Sequence, residues 1–193
     1  MKEPFLEPIL RRMRIKRVLP AILRYPNCRL LDIGCGWDCR LLTTLEPFIT
    51  SGKGIDFKVP AIKKGKIETI QARLDEKLPF VDEAFDVVTM LAVLEHLSSP
   101  HAIIREIERI LVPGGRLVVT VPGKRAKPVL EFLSYRLKIV NEAEIRDHKK
   151  YYDPEELLQL LLDTNLAIDK HAYFQFGMNN FCVIVKQKRM MSQ

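Results

Sequence analysis

Long apolar runs are missing from this 193-residue chain, and cysteines are few. No stretch reaches the 18 or so apolar residues that a membrane-spanning helix needs. A secretory leader is not expected either. In the opening "MKEPFLEPILRRMRIKRVLPAIL", the basic cluster Arg11, Arg12, Arg14, Lys16 and Arg17 sits where an apolar stretch would be required, and Pro4, Pro8 and Pro20 interrupt it. The expectation is a soluble, cytoplasmic protein. The four cysteines, Cys28, Cys35, Cys39 and Cys182, include no CxxC pair and lack nearby partners for zinc. They read as buried free thiols, and no metal site is expected. Repeats and low-complexity tracts are absent, so solenoids and disordered arrays are excluded.

What is present is enough apolar sequence, 47%, to fill one core, but not two comfortably. The net charge of +7 gathers at residues 11–17, 123–128 and 148–150. Such clusters can attract nucleic acid or an acidic substrate, but as a rule they are solvated faces.

Periodicity orders the chain. Residues 8–24 carry Ile15, Val18, Leu19, Ile22 and Leu23 at helical spacing, with Pro20 expected to kink or divide the helix. Then come a strand at 28–34, a helix at 38–48, a strand at 52–57, a short helix and turn in "PAIKKG", and strands at 66–72 and 85–91. The last is apolar on both faces, as a central parallel strand should be. A helix follows, with Ser99 as cap, Pro100 at its first position and an apolar stripe from Ile103 to Leu111. "PGG" at 113–115 stops it before a strand at 116–122. Strict strand–helix alternation argues for a doubly wound parallel sheet. Beyond it lie two helical stretches, "KPVLEFLSYRLKIV" and "DPEELLQLLLDTN", the second capped by Asp153. Two strands joined by "GMNN" form a terminal hairpin with an antiparallel strand at the sheet edge.

The turn "LLDIGCGWDCRLL" at 30–42 marks a ligand site. Open parallel sheets bind ligands beyond the carboxyl ends of their strands, at the point where strand order reverses. Gly34 and Gly36 allow a sharp turn and a close approach. A dinucleotide fingerprint would need a small third residue where Cys39 stands, and an apolar residue where Asp32 stands. A carboxylate at the strand tip suits a cationic or hydroxyl-rich ligand better than a pyrophosphate. Asp56, 20 residues after Gly36, ends the second strand where a carboxylate can grip ribose hydroxyls.

At these residues the chain resembles a known family. "LLDIGCG", "GIDF", "LPFVDEAFDVVTMLAVLEHL" and "LVPGGRLVVTVP", in that order, are similar to class I S-adenosylmethionine-dependent methyltransferases, particularly the small type-11-like group. The resemblance is close over 28–122, and "HKKYYDPEELLQLL" at 148–161 extends it. It implies an α/β fold: a three-layer Rossmann-like sheet, mostly parallel with a C-terminal antiparallel hairpin, in the seven-strand methyltransferase arrangement. One domain over 1–193 is expected, comprising an N-terminal helical segment (1–24), a cofactor-binding core (25–122), a substrate-side cover (123–164) and the hairpin (165–193).

The resemblance also implies roles. Asp32, Gly34, Cys35 and Gly36 would meet the methionine part of S-adenosylmethionine and of its product S-adenosylhomocysteine. Asp56 would hold the ribose and Phe57 would lie near the adenine. Ala72, Arg73 and Leu74 would line the adenine, and Met90, Leu91 and Ala92 the cofactor. Glu95 and His96 would face the methyl group or the substrate mouth. Two positions depart from the pattern. Asp38 replaces a glycine, and either caps the following helix or meets the cofactor's ammonium. Arg73 replaces an acid that would accept from the adenine amino group, which arginine cannot do. Candidate bases are His96 and His148, each with a structural or surface role as its alternative, and Tyr151 or Tyr152 could orient the acceptor. The expected activity is methyl transfer to oxygen, nitrogen or carbon of a small-molecule acceptor. RNA or protein methylation is less favoured, since "MLAV" stands where amino-methylating enzymes carry a polar motif. A non-catalytic cofactor-binding subunit is the third reading.

Overall fold

A computed structural model describes residues 7–74, 77–124, 126, 150–175 and 177–188. An eight-stranded sheet organises them, in the order β3-β4-β2-β1-β5-β6-β8-β7. The strands are β1 (Arg29–Ile33), β2 (Ser51–Asp56), β3 (Lys63–Lys64), β4 (Ile67–Gln71), β5 (Phe85–Leu91), β6 (Leu111–Pro122), β7 (Leu166–Phe174) and β8 (Asn179–Lys186). Pairing is parallel from β4 through β6, and antiparallel at β3–β4, β6–β8 and β8–β7.

The expected seven strands are therefore present, with a two-residue strand added at one edge. That addition corrects the short helix expected in "PAIKKG". The Thr69 hydroxyl donates to the Pro60 carbonyl (2.6 Å) and accepts from the Ile62 amide (3.0 Å), holding this segment extended along β4. The hairpin is present as expected, with β7 at the sheet edge antiparallel to β8, which lies between β6 and β7.

Alternation of side chains splits the core into two layers. Leu30, Val87, Val118 and Val183 face one side, where α1 (Glu7–Ile22) and α2 (Arg40–Leu45) bring Val18, Ile22, Leu42 and Leu45. Leu31, Val88, Leu117 and Ile184 face the other. There α3 (Pro100–Ile110) and α4 (Pro154–Gln159) supply Ile103, Ile107 and Leu157. A strand buried on both faces has a period of two in direction but none in polarity, which is why these strands read as continuous apolar runs.

Helix boundaries moved for identifiable reasons. Pro20 does not divide α1, because it falls in the last turn, where only two further residues follow. Within 38–48 the α-helix covers only 40–45, and Pro47 tightens the remainder into a 3-10 turn, Glu46–Phe48. β6 begins at Leu111 and runs through "PGG", with a register shift opposite Phe85 and Val87 and with Gly114 at φ 82°. Asp153 caps α4 as expected, in a reciprocal pair with Glu156 at 3.0 Å each way. α4 itself ends at Gln159, short of the expected span. The expected helix "KPVLEFLSYRLKIV" and His148 lie outside the described residues.

Candidate active site at the strand tips

Because β1 sits between β2 and β5, the chain leaves it in one direction and returns on the other side. The crevice opened by that reversal lies beyond Ile33, Asp56 and Leu91. Two loops meet there. Gly34 turns the chain at φ 75° and donates its amide to the Ile55 carbonyl at 2.8 Å. Gly36, at φ 68°, donates its amide to Asp56 Oδ2 at 3.1 Å. The other carboxylate oxygen, Oδ1, accepts from the Lys58 amide at 2.8 Å. Asp56 thus ties the tips of β1 and β2 together.

These residues fit an adenosyl cofactor. A carboxylate offers about four acceptor positions, and backbone amides occupy one on each oxygen of Asp56. One lone pair per oxygen is left, the arrangement a vicinal diol requires. The surface over Gly36 is open as well, since a Cβ there would meet only Asp38 Oδ1, at 4.0 Å.

Asp32 is buried in β1, and the Thr89 hydroxyl on β5 lies 2.7 Å from its Oδ1. That hydroxyl also lies 3.3 Å from the Leu31 carbonyl, and its single proton can serve only one of the two. Burial, with the Asp56 charge adding to it, raises the Asp32 carboxyl to about 7 against the opposing Thr89 bond. In its neutral form Asp32 donates to Thr89 Oγ, which then donates to Leu31.

The stability consequence has a definite sign. Between about pH 4 and pH 7 the folded state holds a proton that the unfolded chain has released, so Asp32 lowers stability as pH rises across that window, by ~1.4 kcal/mol per pH unit at most. The contribution is complete below pH 4 and gone above pH 7. Urea titrations of ligand-free protein between pH 5 and 8 should show this decline, and Asp32→Asn should make it shallower, leaving the share of Glu95, whose carboxyl burial also raises to about 7. An identical slope in the variant would refute the assignment.

The remaining predicted residues divide by exposure. Phe57 is 55% exposed, with Lys58 Nζ 4.8 Å from its ring centroid, and Arg73 is exposed. Ala72 and Leu74 are half-buried, and the Ala72 amide bonds the Asp56 carbonyl at 3.1 Å. These residues follow the tips of β2 and β4. Leu91 is half-buried, and Ala92 turns the chain at φ 57° while its amide bonds the Thr120 carbonyl at 2.8 Å. Met90 and Cys35 are placed differently: both side chains are buried in core clusters. Cys35 Sγ lies 3.9 Å from Cys39 Sγ, and burial raises both thiols.

Asp38 is not the cap of α2. Cys39 occupies that position at φ 48° with no side-chain bond, and Asp38 pairs with Arg40 instead. The left-handed residue turns the Asp38 side chain out of capping reach. His96 is half-buried at the end of a 3-10 turn, Leu94–His96. Tyr152 is buried, its carbonyl accepting from Asn180 Nδ2 at 2.9 Å. Sequence reasoning missed Thr89, whose role depends on strand register, and Val93, whose side chain lies against Gly34.

Comparison with known proteins agrees with this geometry. A family described as a methyltransferase domain matches residues 7–171. Ubiquinone biosynthesis O-methyltransferase of Aeromonas salmonicida is 28% identical over 68% of this chain and 60% of its own length. Its Vibrio atlanticus counterpart is 27% identical over 80% and 69% respectively. The chain thus spans some 60–69% of these curated relatives. A chain in the complex between the Haloferax volcanii Trm112 methyltransferase activator and a methyltransferase superposes with a TM-score of 0.69 at 16% identity, covering 97% of this chain and all of that one. The [4+2]-cyclase SpnF superposes with a TM-score of 0.70 at 17% identity, over 92% and 81%. At such identities the structures establish the fold alone, and SpnF shows that this fold hosts other chemistry. The family match, with the Asp56 carboxylate and the two glycine turns at the reversal point, places this chain in the family of S-adenosylmethionine-dependent methyltransferase domains.

Proposed function

We propose that this chain transfers a methyl group from S-adenosylmethionine to a hydroxyl oxygen of a small-molecule acceptor. The observation that carries it is the pairing of Asp56 with Gly36 across the two strand tips, with one lone pair open on each carboxylate oxygen. The choice of oxygen is supported by the O-methyltransferase relatives.

When bound, the cofactor supplies a methyl group already activated by its sulfonium. The protein's task is then alignment and exclusion of water. Asp56 orients the ribose, and Asp32, once ionised, offers a carboxylate to the cationic methionine end. We assign 123–164, of which residues 125 and 127–149 lie outside the described residues, as the cover of the acceptor. His96, on the turn after β5, is one candidate histidine; His148, the other, lies outside the described residues.

Nucleic-acid binding receives less support. Lys124 pairs with Asp153 and Glu156, Lys150 with Glu156, and the Arg17 guanidinium lies 4.4 Å from the Phe174 ring centroid. One basic residue of each cluster is thereby engaged within the fold. Calorimetry with S-adenosylhomocysteine, followed by transfer of a labelled methyl group to simple catechols and hydroquinones, tests the proposal. Binding at micromolar concentration and labelled ether products are expected. No heat at millimolar ligand would exclude the cofactor, and label appearing in tRNA but in none of the phenols would move the acceptor to another class.

A further inference from the structure

Among the described residues, only two buried side-chain polar atoms lack a hydrogen-bond partner: Glu95 Oε2 and Gln175 Nε2. The first lies just past the tip of β5, the strand whose end borders the candidate site. Glu95 is 1% exposed, on the 3-10 turn that continues β5 past the strand tips. It follows Ala92, bonded to Thr120 on β6, and Val93, packed against Gly34 of the cofactor loop. A buried carboxylate oxygen without a partner is costly to leave unsatisfied, and such groups in folded proteins call for an explanation.

None of the described residues around it supplies that partner. Leu94 and Leu97, flanking in sequence, are buried apolar residues. Among the described residues, the charged and titratable groups near it are the Arg14 guanidinium on α1, the Tyr152 phenol ahead of α4 and the neighbouring His96. Arg14 favours the ionised form of Glu95, while Glu95 in turn helps hold the Tyr152 phenol protonated. A buried carboxylate with one oxygen unpartnered and a cation whose charge favours its ionised form is suited to receive a proton.

Resting on the methyl-transfer reading above, we propose that Glu95 is a catalytic residue, its free Oε2 accepting the proton of the acceptor hydroxyl. The acceptor oxygen forms its bond to the methyl carbon, the carbon–sulfur bond breaks with its electron pair passing to sulfur, and the hydroxyl proton moves to Glu95 Oε2. Product release returns that proton to water. Burial, opposed by its own backbone amide and by Arg14, raises the Glu95 carboxyl to about 7, close to the working pH at which a general base is most effective.

The test uses the full chain, with catechol and hydroquinone as probes and transfer of a labelled methyl group followed from pH 5.5 to 9. The wild-type rate should rise through about pH 7 and then level. Glu95→Gln should lower kcat by roughly 10²–10⁴-fold, lose that limb, and keep S-adenosylhomocysteine affinity within about twofold. Glu95→Asp should recover part of the rate and restore a pH limb. A Glu95→Gln enzyme with the wild-type rate and limb overturns the base role while leaving methyl transfer intact. Failure of the wild-type enzyme to methylate either probe overturns both. If the glutamine variant does not fold, a flat wild-type profile across pH 7 is by itself sufficient to reject the proposal.

Discussion

Asp56→Asn should weaken S-adenosylhomocysteine binding by about 100-fold, with only a small loss of stability. A charge-assisted hydrogen bond contributes ~1.5–3 kcal/mol, and the substitution removes the charge from two such bonds while turning a donor toward one hydroxyl. A net loss near 3 kcal/mol corresponds to about two decades in affinity. Within the ligand-free protein the same change costs less. The Gly36 and Lys58 amides, which Asp56 accepts at 3.1 Å and 2.8 Å, can turn to the remaining amide oxygen or to water. Isothermal titration of wild type and variant, with melting curves alongside, separates the two effects. A change of less than threefold in affinity would show that the second strand tip does not hold the ribose. A collapse of the fold would show that Asp56 serves the protein before it serves the ligand.

Gly34→Ala should be far more disruptive than its size suggests. Gly34 sits at φ 75°, where an L side chain costs ~1–2 kcal/mol. An added Cβ would also run into Val93 Cγ2 on the loop after β5. Relieving such an overlap in a packed wall costs ~1–3 kcal/mol. The sum, about 3 kcal/mol, should lower Tm by roughly 6–12 °C in a domain of this size. Adding Val93→Ala should return the steric part and leave the backbone part, so the double variant should melt between Gly34→Ala and Val93→Ala with a positive coupling energy. Additive effects would mean that the two loops do not touch. The outcome bears on function because this contact sets the distance between the loop after β1 and the turn that carries Glu95 and His96.

Several features were legible before any coordinates. The strands at 28–34, 52–57, 66–72 and 85–91 appear within two residues of their expected bounds, because apolar β-branched runs bounded by glycine, proline and polar residues have few alternatives. The loop residues 34 and 36 were legible because glycine is the residue that adopts positive φ most readily, and at Gly34 a Cβ would also collide with Val93. Short elements were less legible. "PAIKKG" became an edge strand through one threonine hydroxyl on a neighbouring strand, and the expected cap Asp38 gave way to Cys39 because a left-handed turn displaced it. Neither effect leaves a pattern in the local sequence.

The order of secondary structure, the reversal point and the identity of the carboxylates at its rim follow from residue types and spacing, since these depend on local backbone preference and on polarity period. Which groups meet does not. The Asp32–Thr89 contact joins residues 57 apart, and Gly36 meets Asp56 across a strand pair. A one-residue slip in register would turn either side chain to the opposite face. The orphaned oxygen of Glu95 is further still from the sequence, because it depends on what every neighbouring element fails to offer. Burial and partnership are properties of the packed chain, and only the tertiary structure decides them.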